Sequence, residues 1–303
     1  MIWQIFHGFC MALADSVPGV SGGTVAYILG FYERFISAIN DVFRGSMRER
    51  HDALVYLMKL GIGWVVGMTA SMLILSKLFE NNIYILTSVF LGLTVAALPF
   101  VAKEEKDVLC GHGRNWPFFV GGLVLVCGMV MMRGLTASST AMHFDALALL
   151  QYVYVFLSGA LAISAMVLPG VSGSTVLLIM GTYIPTINAV SAVFHLEFGM
   201  LRGLAVLVIG IVCGAMVSVK FLKNALKHHR SRMVYFIMGL MAGSLYAIVM
   251  GPTTLADGQA PLSLDTFSLI AFIGGILILL GLERIKQINQ RAEAEMEALM
   301  HDQ

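Results

Sequence analysis

Residues 14–32, ADSVPGVSGGTVAYILGFY, align without a gap to residues 165–183, AMVLPGVSGSTVLLIMGTY, with eleven of nineteen positions identical. Each copy carries a Pro-Gly pair, Pro18-Gly19 and Pro169-Gly170, inside an otherwise apolar stretch. Proline breaks the helix that precedes it, and glycine takes backbone angles that other residues resist. Ser21 and Ser172 then stand where a new helix needs a cap. Weaker echoes follow in the same order: Leu60, Gly63, Gly67 and Ser71 match Leu207, Gly210, Gly214 and Ser218, and Gly121-Gly122 matches Gly274-Gly275. The chain reads as two homologous halves offset by about 150 residues.

The solvent for these halves is lipid. Only 12% of the 303 residues are charged, about half the soluble norm of roughly 25%. Mean hydropathy is +0.84, and a soluble fold of this size lacks the residues for its shell. A formal net charge of +1 gives no footprint for nucleic acid. The four cysteines form no CxxC pair, so no metal or cofactor site is expected. No signal-peptide pattern precedes the first apolar run, so no cleaved leader is expected.

Apolar runs long enough to cross a bilayer fall near 53–76, 82–102, 116–132, 203–222, 234–251 and 266–282. Regions 2–40 and 148–194 are apolar but interrupted, either re-entrant hairpins or pairs of full spans. In both cases each half crosses an odd number of times, so the second half inserts upside down. The expected fold is an all-α polytopic membrane protein of two inverted-topology repeats, 1–145 and 146–283, with a charged tail over 284–303. That is the architecture of secondary transporters, whose sites lie where broken helices meet. Fourteen Lys and Arg residues fall on the side of loops 41–52, 103–115 and 223–233 and the tail, against Lys77, Arg133 and Arg202 opposite. The positive-inside rule then puts both termini in the cytoplasm.

Unwound backbone at membrane depth is costly unless it lines a cavity or binds something. The free N–H groups and positive dipole end of a helix attract anions. Two such breaks from opposed halves would aim two helix N-termini at one central point. The lining is Ser21, Gly22, Gly23 and Thr24 from one half and Ser172, Gly173, Ser174 and Thr175 from the other; a packing kink is the alternative. Asp15, matched by Met166 in the second copy, is either a proton or sodium relay or a carboxylate tied to nearby backbone N–H groups. Glu33 and Arg34 are expected about 14 Å along the helix after the break, at 1.5 Å per residue. There Glu33 is a second candidate for ion coupling, and Arg34 either binds a phosphate or snorkels to the interface.

The doubled PGVSG segment, with ERFI following the first copy, resembles the signature of the bacterial polyprenyl-phosphate transporter family, formerly a family of unknown function. The resemblance covers nearly the whole chain in length, span pattern and repeat. It implies return of undecaprenyl phosphate to the inner leaflet of the cytoplasmic membrane for cell-wall and surface-glycan synthesis, with dependence on cation gradients and external pH. The competing readings are a secondary transporter for phosphate, sulfate or a carboxylate, and a membrane enzyme. The second fares poorly, because only His7 and Cys10 stand near Ser21 as possible activating bases.

Overall fold

The computed structural model describes residues 2–15, 21–110, 113–136, 144, 147–195, 199–254 and 259–284. Pro18, Gly19 and nearly all of the charged tail lie outside them. Among the described residues all regular structure is helical. The first half comprises α1 (Ile2–Asp15), α2 (Gly22–Ile28), α3 (Tyr32–Arg44), α4 (Met47–Glu104), the single turn α5 (Lys106–Leu109) and α6 (Trp116–Thr136). The second comprises α7 (Leu149–Val167), α8 (Gly173–Ile179), α9 (Tyr183–Phe194), α10 (Leu201–His228), α11 (Arg230–Val249) and α12 over 269–284.

Among the described residues, six stretches are long and apolar enough to cross a membrane: Met47–Ser71, Asn82–Glu104, Gly113–Met132, Leu149–Val167, Leu201–His228 and Arg230–Val249. Five coincide with uninterrupted runs in the sequence. The sixth, α7, is the first arm of the second interrupted region; its 19 residues reach about 28 Å, against a hydrocarbon core of about 30 Å. Its counterpart α1 has 14 residues and reaches only about 21 Å. The two spans within α4 meet at Asn82, whose φ of −142° and ψ of 33° interrupt the helix.

Both short helices end in the same way. Gly30 and Gly181 take positive φ, 75° and 65°. Gly30 N–H bonds to Tyr27 C=O and Phe31 N–H to Ala26 C=O; Gly181 to Leu178 and Thr182 to Leu177 repeat the pattern. This is the Schellman closure, which uses a left-handed glycine to satisfy the last carbonyls. It corrects one expectation. The helix after the first break does not run on to carry Glu33 and Arg34 some 14 Å along it; it stops at Leu29, and both residues open the separate helix α3.

Packing repeats at the same offset. A Cβ on Gly8 of α1 would strike the Leu60 carbonyl of α4, and one on Gly159 of α7 the Leu207 carbonyl of α10. Gly63 against Ile5 is likewise matched by Gly210 against Phe156. The last helix of each half instead packs on the other half: Gly92 of α4 meets the Phe272 carbonyl of α12, and Gly239 of α11 meets the Phe119 carbonyl of α6. In lipid, where apolar surface gives helices little reason to associate, such close backbone contact is a principal source of attraction. The main core lies between the halves, where Tyr32 and Ile36 of α3 join Val219, Leu222, Ile237 and Met241 of α10 and α11.

Candidate functional site

The second break touches the helices that follow the first. Gly170, with φ of 86°, donates its N–H to Thr24 Oγ1 at 2.7 Å. Tyr32 donates its hydroxyl to the Val167 carbonyl at 2.8 Å, just before Pro169. A side chain on Gly170 would run into the Leu240 carbonyl of α11, so the turn needs glycine for both its angle and its clearance. Val167 cannot give its carbonyl to the N–H four residues on within one helix, because the helix ends there. Tyr32 supplies the missing donor, as buried backbone demands.

At the start of α2, Ser21 is an extended N-cap with φ −125° and ψ 134°. Its Oγ accepts the Gly23 N–H at 3.2 Å. The Gly22 N–H points instead at Asp15, donating to Oδ1 at 2.7 Å, while Trp64 of α4 donates its indole N–H to Oδ2 at 3.1 Å. A Cβ on Gly22 would stand 2.7 Å from Oδ2, so glycine is what lets the carboxylate approach. The N-terminus of α2 thus already holds a carboxyl group, its own chain's. Ser21 and Thr24 are each 2% exposed, and Gly22 and Gly23 are buried with them.

The start of α8 has the same backbone and a different chemistry. Ser172 is again an extended N-cap, φ −102° and ψ 128°, but its side chain makes no capping bond. It lies 2.7 Å from the hydroxyl of Ser174. Where α2 has Asp15, α8 has Met166. Ser172 and Thr175 are half-buried and Ser174 is exposed, while Gly173 is buried. A cavity of about 20 Å³ beside Gly170, Ser172 and Thr175, walled by Val126 and Met129 of α6, has room for about one water. It does not hold a phosphate in this conformation.

Glu33 and Arg34 lie elsewhere. Arg34 stacks its guanidinium over the Tyr56 ring at 4.9 Å, in a recess of α3 and α4 shared with Asp41, Glu49 and Asp52. Glu33 pairs with Arg230 of α11 at 2.8 Å. The same guanidinium reaches Glu105 through Nη2 at 2.8 Å and Nε at 3.2 Å, and Lys223 pairs with Asp41 at 3.1 Å. These bridges, with Asn115 to Ser231 at 3.0 Å, bring segments 33–41, 105–115 and 223–231 to one end of the molecule. The structure therefore joins Asp15 to the start of α2 and links α2 to the second break through Thr24 and Gly170, and it leaves Glu33 and Arg34 in other clusters. Trp64, Arg230 and Glu105 escaped the sequence reading. A buried carboxylate does demand donors from neighbouring helices, which was a signal for Trp64.

These helices define a multi-pass α-helical membrane protein whose two halves meet at paired helix breaks. The chain belongs to the undecaprenyl phosphate translocase-like (VCA0040-like) family, whose model matches residues 11–264. It is similar to a polyprenyl-phosphate transporter of Staphylococcus aureus, 31% identical over 293 residues, covering 95% of this chain and 98% of that one. It is also similar to a polyprenyl-phosphate transporter of Vibrio cholerae, 28% identical over 261 residues, covering 82% and 78%. No solved structure is significantly similar to the chain.

Proposed function

We propose that this protein moves polyprenyl phosphate, undecaprenyl phosphate above all, across the bacterial cytoplasmic membrane, returning the carrier lipid used in cell-wall and surface-glycan synthesis. Two things support the reading: membership of the family and the transporter names of both relatives. The observation that carries the mechanism is the Asp15 carboxylate on the Gly22 N–H at 2.7 Å. It supports the α2 terminus as a place for a compact anion, since a group with two oxygens is held there by a backbone N–H and the Trp64 indole.

The substrate phosphate and Asp15 then compete for one helix end. A proton or sodium ion on Asp15 removes its charge and weakens its hold on Gly22, since hydrogen bonds to charged groups are about twice as strong as neutral ones. The lipid phosphate takes its place between Ser21, Gly22, Gly23 and Thr24 of α2 and Ser172, Gly173, Ser174 and Thr175 of α8. Pro18-Gly19 and Pro169-Gly170 keep those two ends open to it. When the cation leaves, the restored carboxylate expels the phosphate. Coupling follows from this exchange, with Glu33, whose bond to Arg230 joins the halves, as a second ion-coupling residue.

The halves, 1–145 and 146–283, are oppositely oriented in this reading. The glycine contacts that recur at the repeat offset support the duplication on which it rests. Transport rocks one half on the other while the prenyl tail stays in lipid. Both termini face the cytoplasm, on the side of the basic loops.

Purified protein in vesicles carrying undecaprenyl phosphate on one leaflet tests the function. Phosphatase added outside should gain or lose access to the lipid at a rate that depends on the protein and on an imposed proton or sodium gradient. Protein-dependent uptake of inorganic phosphate or sulfate, with no lipid movement, would contradict it.

A further inference from the structure

We infer that a cleft between α6, α7, α10 and α11 is a second site for the same lipid, where an isoprenyl phosphate docks before it reaches the helix breaks. The assignment rests on the transport reading above. The cleft has a volume of about 470 Å³, within the roughly 300–1,000 Å³ of small-molecule sites. Its walls are apolar apart from two hydroxyls, Ser164 and Ser218, and both are spent on the carbonyls of their own helices, Ala160 and Gly214, at 2.7 Å. Nothing inside it calls for a polar ligand.

One end is different. His229 and Arg232 line the cleft and also line an adjoining polar basin of about 650 Å³ with Arg114 and Arg230. The guanidinium of Arg230 is paired with Glu33 and Glu105. Arg232 stacks on the Phe118 ring at 5.7 Å, and among the described residues it has no carboxylate partner. An apolar slot that opens into a basic basin past the shared side chains of His229 and the Arg232 cation matches a ligand with a hydrocarbon tail and an anionic head. Val167 and Leu168, immediately before Pro169, also line it. A lipid lying in the cleft with its phosphate in the basin thus has its tail beside the residues that lead into the second break. Phe221, 72% exposed, and Phe118, 42% exposed, flank the opening toward the bilayer.

The occupant is a single-chain isoprenyl phosphate, because one slot receives one tail. The test is binding of undecaprenyl phosphate to full-length protein in detergent, read by native mass spectrometry, with undecaprenol, inorganic phosphate and phosphatidylglycerol as competitors. Arg232→Gln should weaken undecaprenyl phosphate about tenfold and leave undecaprenol unchanged. Ala225→Trp or Ser164→Phe, which fill the slot, should weaken both. Val217→Trp, on the outer face of α10 at 69% exposure, should change neither. On wild-type protein, a diazirine-bearing isoprenyl phosphate should label residues within 218–236, a result that does not depend on any variant folding. Unaltered binding in Arg232→Gln and the slot variants, labelling confined to other segments, or equal displacement by phosphatidylglycerol or inorganic phosphate would overturn the cleft. If wild type binds and moves the lipid while the variants match it, only the cleft falls. If wild type neither binds nor moves it, the transport reading falls as well.

Discussion

The two helix breaks share a sequence, a cap conformation and a terminal glycine turn, yet one is filled by protein and the other is not. At α2, Asp15 sits on the Gly22 N–H and Ser21 caps Gly23. At α8, Met166 replaces the carboxylate and Ser172 makes no cap. Duplication supplies two copies of a scaffold that favours an anion. Divergence at a single position then decides which copy carries an internal carboxyl group. In the proposed mechanism that asymmetry leaves α8 to the lipid phosphate and gives a cation one carboxylate to act on.

The comparison can be broken by making the copies alike. Met166→Asp gives α8 its own carboxylate, which should repel the lipid phosphate and lower flipping about tenfold or more, equivalent to roughly 1.4 kcal/mol per decade. Vesicle flipping rates check this, and an unchanged rate would remove the role of α8. Thr24→Val should have the next largest effect. It strands the Gly170 N–H, and an unsatisfied buried donor costs about 1–3 kcal/mol. Chemical denaturation should show that loss, with Thr24→Ser restoring most of it.

Alanine at the two caps sharpens the contrast further. Ser21→Ala removes a cap bond and should cost about 1 kcal/mol of stability. Ser172→Ala has no such bond to lose, so its stability should hold while flipping falls. Equal stability losses in the two variants would mean that the caps are equivalent after all. Arg34→Gln should matter least. Its contact is a surface stack on Tyr56, worth about 0.5–1 kcal/mol, and flipping should stay close to wild type.

Much of this arrangement could be read in advance because it rests on periodicity and on residues with strong backbone preferences. Apolar runs marked the spans, and the duplicated Pro-Gly-Val-Ser-Gly marked the breaks. Glycines read in the sequence only as echoes of a repeat prove to be where α1 meets α4 and α7 meets α10. The partners of isolated charges were another matter. Nothing local links Trp64 to Asp15, 49 positions away, or Arg230 to Glu33 and Glu105; those pairings exist only once helices are docked. The stop at Gly30 was missed for a different reason. Its neighbours are apolar and helix-compatible, so the left-handed turn at φ 75° leaves little trace in hydropathy. The expected position of Glu33 and Arg34, about 14 Å along the helix after the break, followed from assuming that helix to be continuous.

The central claim is that Asp15 couples cation binding to the release of the α2 terminus. The direct measurement is undecaprenyl phosphate flipping by wild type and Asp15→Asn in matched vesicles, with and without an imposed proton or sodium gradient. Asparagine keeps the shape but carries no titrating charge. The account predicts that wild type responds to the gradient and that Asp15→Asn flips at one rate regardless of it. A variant whose gradient response equals that of wild type would contradict the claim.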